Sequence, residues 1–291
     1  MAEGKRLFVK VTRESLPQIK DKYPFLYLER GRLEIDDSSI KWIDSTGSVI
    51  PLPVATLNTL LLGPGTSVTH EAIKVAASAN CSICWVGEDS LLFYAAGFLP
   101  TADSRNLRKQ IELSTEPKKA LEVAKRMYAR RFPNAELENK TLQQLMGMEG
   151  NRVRAIYEEK AQLYKIGWKG RSFTPGKFDL SDTTNKIISS TNSALYGILC
   201  SAVHSMGYSP HVGFIHSGSP LPFIYDLADM YKDSLCIDLA FWLTRDMAGQ
   251  YDKRKVSDEF RKRVIELNLL EKVSKDISEI FGGFGAYRRS K

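Results

Sequence analysis

Residues 211–234, HVGFIHSGSPLPFIYDLADMYKDS, place several chemically active side chains close together. His216 sits on a turn of small residues ahead of Pro220. Asp226, Asp229 and Lys232 follow at intervals of three, a spacing that puts them on one face of a helix. The rest of that helix is apolar: Leu221, Phe223, Ile224, Leu227, Ala228 and Met230. An isolated Asp-x-x-Lys is most often a surface ion pair of small energetic weight. Carboxylates beside an imidazole are also the donor set of a hard divalent cation, and they suit Mg²⁺ or Mn²⁺. Such an ion polarises a phosphoryl oxygen and activates a hydroxyl nucleophile. A lysine at its side neutralises phosphate charge.

A third ligand has to come from another element. The stretch QQLMGMEGNRVRAIYEEKAQLY offers Glu149, flanked by Gly147 and Gly150 and followed by Arg152 and Arg154. An acid three and five residues before arginines is also ordinary helix pairing. Spacing alone does not separate Glu149 from Glu158 or Glu159. Cys81-x-x-Cys84 has the form of half a zinc site, but no second such pair completes it, and its surroundings read as a buried strand.

The elements that must carry these residues fall into two parts. Up to about residue 97 the pattern is strand-like: LFVKV (7–11), FLYLERGRLEI (25–35), SIKWI (39–43), SVIPLP (48–53), CSICWVG and SLLFYAAG. Asp44-Ser45-Thr46-Gly47 has turn chemistry. Thr69 is placed to cap one short helix, HEAIKVAASAN. After Gly97 and Pro100 the apolar spacing becomes helical. One stripe runs through Leu121, Ala124, Met127 and Tyr128, another through Leu142, Leu145 and Met146. Further helices are expected over 151–165, 183–206, 222–232, 235–249 and 256–280. The expected class is α+β: a small N-terminal β domain with one helix (1–97), a linker (98–104), and a mostly α-helical catalytic domain (105–291). A flexible basic tail is expected from about 281.

Composition bounds the rest. A chain of 291 residues with 43% hydrophobic content is long enough to bury a sizeable core. Its 41 Lys and Arg against 34 Asp and Glu give a net charge of +7, which suits a polyanionic partner. Residues 105–131 concentrate that surplus: Arg105, Arg108, Lys109, Lys118, Lys119, Lys125, Arg126, Arg130 and Arg131 face only Glu112, Glu116 and Glu122. Four cysteines, with no export-type apolar stretch in MAEGKRLFVKV, point to free thiols in a cytoplasmic setting. No run approaches the roughly 18 apolar residues of a membrane span.

Four ordered blocks carry a family resemblance: GMEGNRVRAIY, WKGRSF, DTTNKIISSTNSALYG and GYSPHVGFIHSGSPLPFIYDLAD. In order and spacing they resemble the CRISPR-associated adaptation integrase/endonuclease. GPGTSVTHEA and CWVGE resemble the subtype that accompanies Cascade-type (type I-E-like) effectors. The resemblance covers nearly the whole chain. It implies metal ligands at Glu149, His216 and Asp229, with Asp226 supporting the site catalytically. It implies DNA contacts at Lys232, Tyr196, Tyr225, Arg154, Arg171, Phe173 and Phe178.

The implied reaction is transesterification with Mg²⁺ or Mn²⁺. The 3′-hydroxyl of a short prespacer duplex attacks a phosphodiester at the end of a CRISPR repeat, with no covalent protein intermediate. The implied assembly is a homodimer, two of which clasp a dimer of a small second adaptation protein across double-stranded DNA. Two positions depart from the family pattern. Arg30 stands where an aromatic would wedge the duplex end, and Ser67 where a basic residue is usual. A repair nuclease of branched or single-stranded DNA, or a non-catalytic DNA-binding scaffold, is the alternative.

Overall fold

A left-handed residue splits the first apolar run. In the computed structural model, which describes residues 21–36, 39–87, 93–97, 104–172 and 181–282, the single strand expected over 25–35 is two: β1 (Tyr23–Leu28) and β2 (Gly31–Asp36). Arg30 between them has φ 54°. Its amide and that of Gly31 donate to the carbonyls of Pro64 and Gly65, each at 3.0 Å. A Cβ on Gly31 would lie 2.4 Å from the Ile43 carbonyl oxygen, so the chain can cross here only on glycine. The crossing sends β1 and β2 into different sheets. The expected strand at 7–11, most of the linker, Phe173, Phe178 and the tail from 283 lie outside the described residues.

One sheet has the order β1-β5-β7-β8, with β5 (Leu57–Leu62), β7 (Ser82–Val86) and β8 (Phe93–Gly97). Strands β1, β5 and β7 are parallel and β8 is antiparallel to β7. The other has the order β4-β3-β2-β6, from β3 (Ser39–Asp44), β4 (Val49–Leu52) and β6 (Thr66–Val68). Asp44 closes the β3–β4 turn by accepting from the amides of Thr46 and Ser48. Helix α1 (His70–Ser78) is capped by Thr69, whose hydroxyl accepts from the Ala72 amide.

Every residue of β5 is buried, as in a parallel strand covered on both faces. Side chains alternate across it: Leu60 and Leu62 join the core with β2, β3 and α1, while Leu61 joins the helical core. The helix on that second face is α5 (Thr183–Ser205), buried along almost its whole length. Its Ser and Thr hydroxyls are tolerated there because they return to the helix backbone: Ser189 donates to the Asn185 carbonyl at 2.9 Å and Thr191 to that of Ile187 at 2.7 Å. Ser201 reaches across to the Ser82 hydroxyl at 2.8 Å. A Cβ on Gly197 would sit 2.7 Å from Leu61 Cδ2. The β and α parts are thus packed directly on one another through β5 and α5.

The remaining helices are α2 (Arg105–Thr115), α3 (Pro117–Arg131), α4 (Leu142–Tyr164), α6 (Pro222–Ala228), α7 (Asp238–Asp246), α8 (Lys253–Glu266) and α9 (Leu269–Ile280), with a π-helical turn at Asp233–Ile237. Pro117 lacks an amide and holds Glu116 extended, which divides α2 from α3. Helix α4 starts in a capping box of Thr141 and Gln144 and runs through Gly147 and Gly150, joining two segments read separately from the sequence. Two expected helices are shorter than periodicity suggested. That over 222–232 stops at Ala228, and that over 256–280 is broken by Asn268 at φ 49°. Among the described residues no helix is long and apolar enough to cross a membrane. All four cysteines are free and buried.

Candidate active site

Asp226 organises the loop that carries His216. The side chain is 0% exposed. Its Oδ2 accepts from the amides of Phe214 (2.7 Å) and Ile215 (3.2 Å). Its Oδ1 accepts from the His216 amide at 2.9 Å and lies 2.8 Å from His216 Nδ1. A carboxylate only accepts, so in the neutral ring Nδ1 carries the proton and Nε2 keeps its lone pair. That tautomer is the one a metal-binding imidazole needs.

Nε2 faces Asp229 Oδ2 at 3.8 Å. Asp229 closes α6, its amide donating to the Tyr225 carbonyl at 3.1 Å. The chain then tightens, with Met230 donating to Leu227 and Tyr231 to Ala228. The expected stripe of Asp226, Asp229 and Lys232 on one helix face is therefore corrected. Asp226 points inward to the backbone, and Asp229 and Lys232 lie beyond the helix end. Lys232 Nζ donates to Asp229 Oδ1 at 2.8 Å and sits 5.2 Å from the centre of the Tyr196 ring. Tyr196 meets Tyr225 edge-on at 5.1 Å, and Tyr225 lies 6.0 Å from the His216 ring.

Glu149 approaches from α4, its side chain 13% exposed. Its Oε1 lies 3.1 Å from Nη1 of Arg131 and 3.6 Å from Nη1 of Arg152. Its Oε2 is buried without a hydrogen-bond partner. The same Arg131 nitrogen lies 3.6 Å from Asp229 Oδ2, so a buried guanidinium joins the two carboxylates. Glu158 and Glu159 lie farther along α4 and are exposed. Sequence reasoning counted Arg131 only as part of a basic run. The signal was available, because Arg131 continues the stripe of Ala124, Met127 and Tyr128, and a cation on an apolar stripe needs a buried partner.

These surroundings set the charges. Burial pushes the Glu149 carboxyl above its ordinary range, although Arg131 and Arg152 pull it down. The hydrogen bond to Asp226 raises the His216 pKa against the effect of burial, and Asp229 adds to the rise. Burial works against the Lys232 ammonium, yet Asp229 and Tyr196 outweigh it and raise its pKa.

The donor set fits a divalent ion in its chemistry: an imidazole with Nε2 available, a neighbouring carboxylate, and a second carboxylate with an unsatisfied oxygen. Among the described residues, however, no three His, Cys, Asp or Glu side chains converge closely enough to hold one. Arg131 stands at both carboxylates instead.

The basic segment is mostly engaged within the protein. Lys119 pairs with Glu112 and Glu116, Lys125 bonds the Glu138 carbonyl, and Arg126 bonds the Ile280 carbonyl. Arg130 pairs with Asp276 and Glu279 of α9. Of the other expected contacts, Arg154 lies on the exposed side of α4, donating to Asn151 Oδ1 at 3.0 Å. Arg171 is tied to α5 through Asn185 Oδ1 (2.6 Å) and Ser189 Oγ (2.8 Å).

Residues 128–267 match the family profile described as CRISPR associated protein Cas1. The chain is 68% identical over 277 residues, 95% of its length and 94% of the relative's, to "CRISPR-associated endonuclease Cas1 2" of Chlorobaculum tepidum. The chain belongs to the Cas1 family of CRISPR-associated endonucleases. Among solved structures, the TtCas1–DNA complex is 36% identical to this Cas1-family chain, covers 92% of it and 100% of its own length, and superposes with a TM-score of 0.67. A casposase bound to integration product has the same TM-score at 17% identity, covers 92% of this chain and 96% of its own, and shares the fold.

Proposed function

We propose that this Cas1-family chain is a DNA integrase dependent on Mg²⁺ or Mn²⁺, which joins short prespacer duplexes to the repeats of a CRISPR array. One observation carries the reading. Buried Asp226 fixes His216 so that Nε2 faces Asp229 Oδ2 at 3.8 Å, next to Lys232. Glu149, His216 and Asp229 would hold the ion. When bound, the ion supplies a Lewis acid for the phosphate and a lower cost for the ionised 3′-hydroxyl.

The chain's own groups supply orientation and charge. Asp226 is a positioning residue, since both its oxygens are engaged with the 214–216 backbone and the His216 ring. Lys232 offers a cation that stays protonated, for a phosphate in transit. Tyr196 and Tyr225 wall the site beside it, and Arg154 and Arg171 flank the DNA path. The bond that forms joins the prespacer 3′-oxygen to phosphorus, and the bond that breaks releases the 3′-oxygen of the array strand. Positioning accounts for a large part of such a rate. Likeness to the TtCas1–DNA complex supports double-stranded DNA as partner. A homodimer, a type I-E-like subtype and assembly of two such dimers around a dimer of a small second adaptation protein belong to the same proposal.

The test incubates the chain, its small partner and a 3′-hydroxyl duplex with a supercoiled array plasmid and Mg²⁺ or Mn²⁺. Strand-transfer products are expected, and they should vanish with Asp229→Ala, with His216→Ala or with a 3′-blocked duplex. Product persisting in Asp229→Ala overturns the ligand assignment. Cleavage without joining favours the nuclease reading. Binding to DNA should survive Asp229→Ala and weaken steeply with salt, because phosphate contacts dominate affinity.

A further inference from the structure

Arg131 occupies an unusual place for an arginine. Its side chain is 2% exposed. None of its three guanidinium nitrogens finds an acceptor in hydrogen-bond geometry, and all three are shielded from solvent. What holds it is charge and a ring face: Nη1 is 3.1 Å from Glu149 Oε1 and 3.6 Å from Asp229 Oδ2, and the guanidinium carbon lies 4.5 Å from the centre of the Tyr128 ring. A guanidinium is weakly hydrated and tolerates burial better than an ammonium. Held to the two carboxylates by charge without a directional bond, it is a cation that a stronger cation can displace from them.

We propose that Arg131 is a resident counter-cation that competes with the divalent ion for Glu149 and Asp229. This rests on the reading that those two carboxylates, with His216, hold the ion. The other cations of the site are engaged differently. Lys232 sits on the opposite oxygen of Asp229, and Arg152 is shared between Glu149 and Asp233 of the π-helical turn. Arg131 alone among these three bridges both carboxylates. In the metal-free protein it offsets their mutual repulsion and holds α3, α4 and the end of α6 together. When the ion binds, two like charges meet at the same oxygens, and the guanidinium must shift toward Tyr128 or weaken the ion's hold. The residue would thus keep metal affinity modest while holding the two carboxylates together when no ion is bound.

The experiment is calorimetric titration of Mn²⁺ into the full chain, alongside thermal unfolding with and without Mn²⁺. Arg131→Gln should lower the metal-free unfolding temperature and bind Mn²⁺ tighter by on the order of tenfold or more, the least that removing one charge at contact distance is worth even under water-like screening. Arg131→Lys, which keeps the charge but not the guanidinium's tolerance of burial, should bind Mn²⁺ less tightly than Arg131→Gln does. Mn²⁺ binding by Arg131→Gln that is no tighter than wild type overturns the proposal. If that variant does not fold, the wild-type protein decides. The Arg131 side-chain Nε–Hε resonance should move on adding Mg²⁺ and stay still in Asp229→Asn. A resonance unmoved in the wild type also overturns it. Mn²⁺ binding that persists undiminished in both His216→Asn and Asp229→Asn overturns the ligand assignment and this proposal with it. Loss of binding in those two variants without tightening in Arg131→Gln overturns the competition alone.

Discussion

Replacing Asp226 by Asn should damage the protein in two separable ways. The carboxylate has two acceptor oxygens, and four donors converge on it: three amides and His216 Nδ1, at 2.7 to 3.2 Å. Asparagine keeps one acceptor oxygen and turns an NH₂ toward the other pair of donors. Two charge-assisted bonds are lost at roughly 1.5–3 kcal/mol each. A total of about 3–6 kcal/mol follows, comparable with the roughly 3–5 kcal/mol for breaking a buried charged interaction. Against a usual stability of about 5–15 kcal/mol this is a large fraction. If the NH₂ faces His216, the ring can relieve the clash only by accepting at Nδ1, which moves the proton to Nε2 and removes the lone pair that faces Asp229. Divalent affinity should then fall by roughly 10–100-fold. Urea unfolding measures the first effect, hydrogen exchange at the 214–216 amides localises it, and ring ¹⁵N shifts report the tautomer. A stability loss below about 1 kcal/mol with unchanged exchange would refute the account of Asp226 as the organiser of this loop.

Three further outcomes are expected. The raised pKa of His216 stabilises the metal-free fold fully below the unfolded value of about 6.5, and that contribution is lost as pH rises through the folded pKa. The difference in unfolding temperature between wild type and His216→Asn should therefore shrink from pH 6 toward alkaline pH, and a constant difference would count against the shift. Tyr231→Phe removes a buried bond of 2.7 Å to Asp276 and should cost about 1–3 kcal/mol in denaturant unfolding, loosening the turn that carries Asp229 and Lys232. Gly197→Val drives a side chain into Leu61, whose Cδ2 already lies 2.7 Å from an added Cβ, and should cost about 1–3 kcal/mol by the same measurement. An unchanged midpoint would mean that α5 and β5 are not packed as closely as described.

Local sequence carried the class of the fold and much of the site's chemistry. Period-two and helical spacing are local properties, so the change from strands to helices after Gly97 could be read directly. Thr69 as a helix cap and Asp44 as a turn residue are equally local, since each bonds an amide two to four residues away. His216, Asp226, Asp229 and Lys232 lie within 17 consecutive residues, and their types alone suggested a cation and a phosphate. Glu149 is 67 positions from His216 along the chain, and the family blocks selected it, not its spacing.

Only the tertiary structure decided how those groups divide their work. Arg30 and Asn268 interrupt apolar runs that periodicity would continue, because each adopts a left-handed backbone where the chain must turn. Asp226 and Asp229 are the same residue type three positions apart. One is sealed against the backbone of a loop twelve residues earlier, and the other faces the imidazole that this loop presents. Arg131 looked like one member of a solvated basic run. Packing of α3 against α4 and the end of α6 puts it 3.1 Å from Glu149 and 3.6 Å from Asp229. Residue type and spacing establish which charges are available, but burial and the meeting of distant elements establish which of them must neutralise one another.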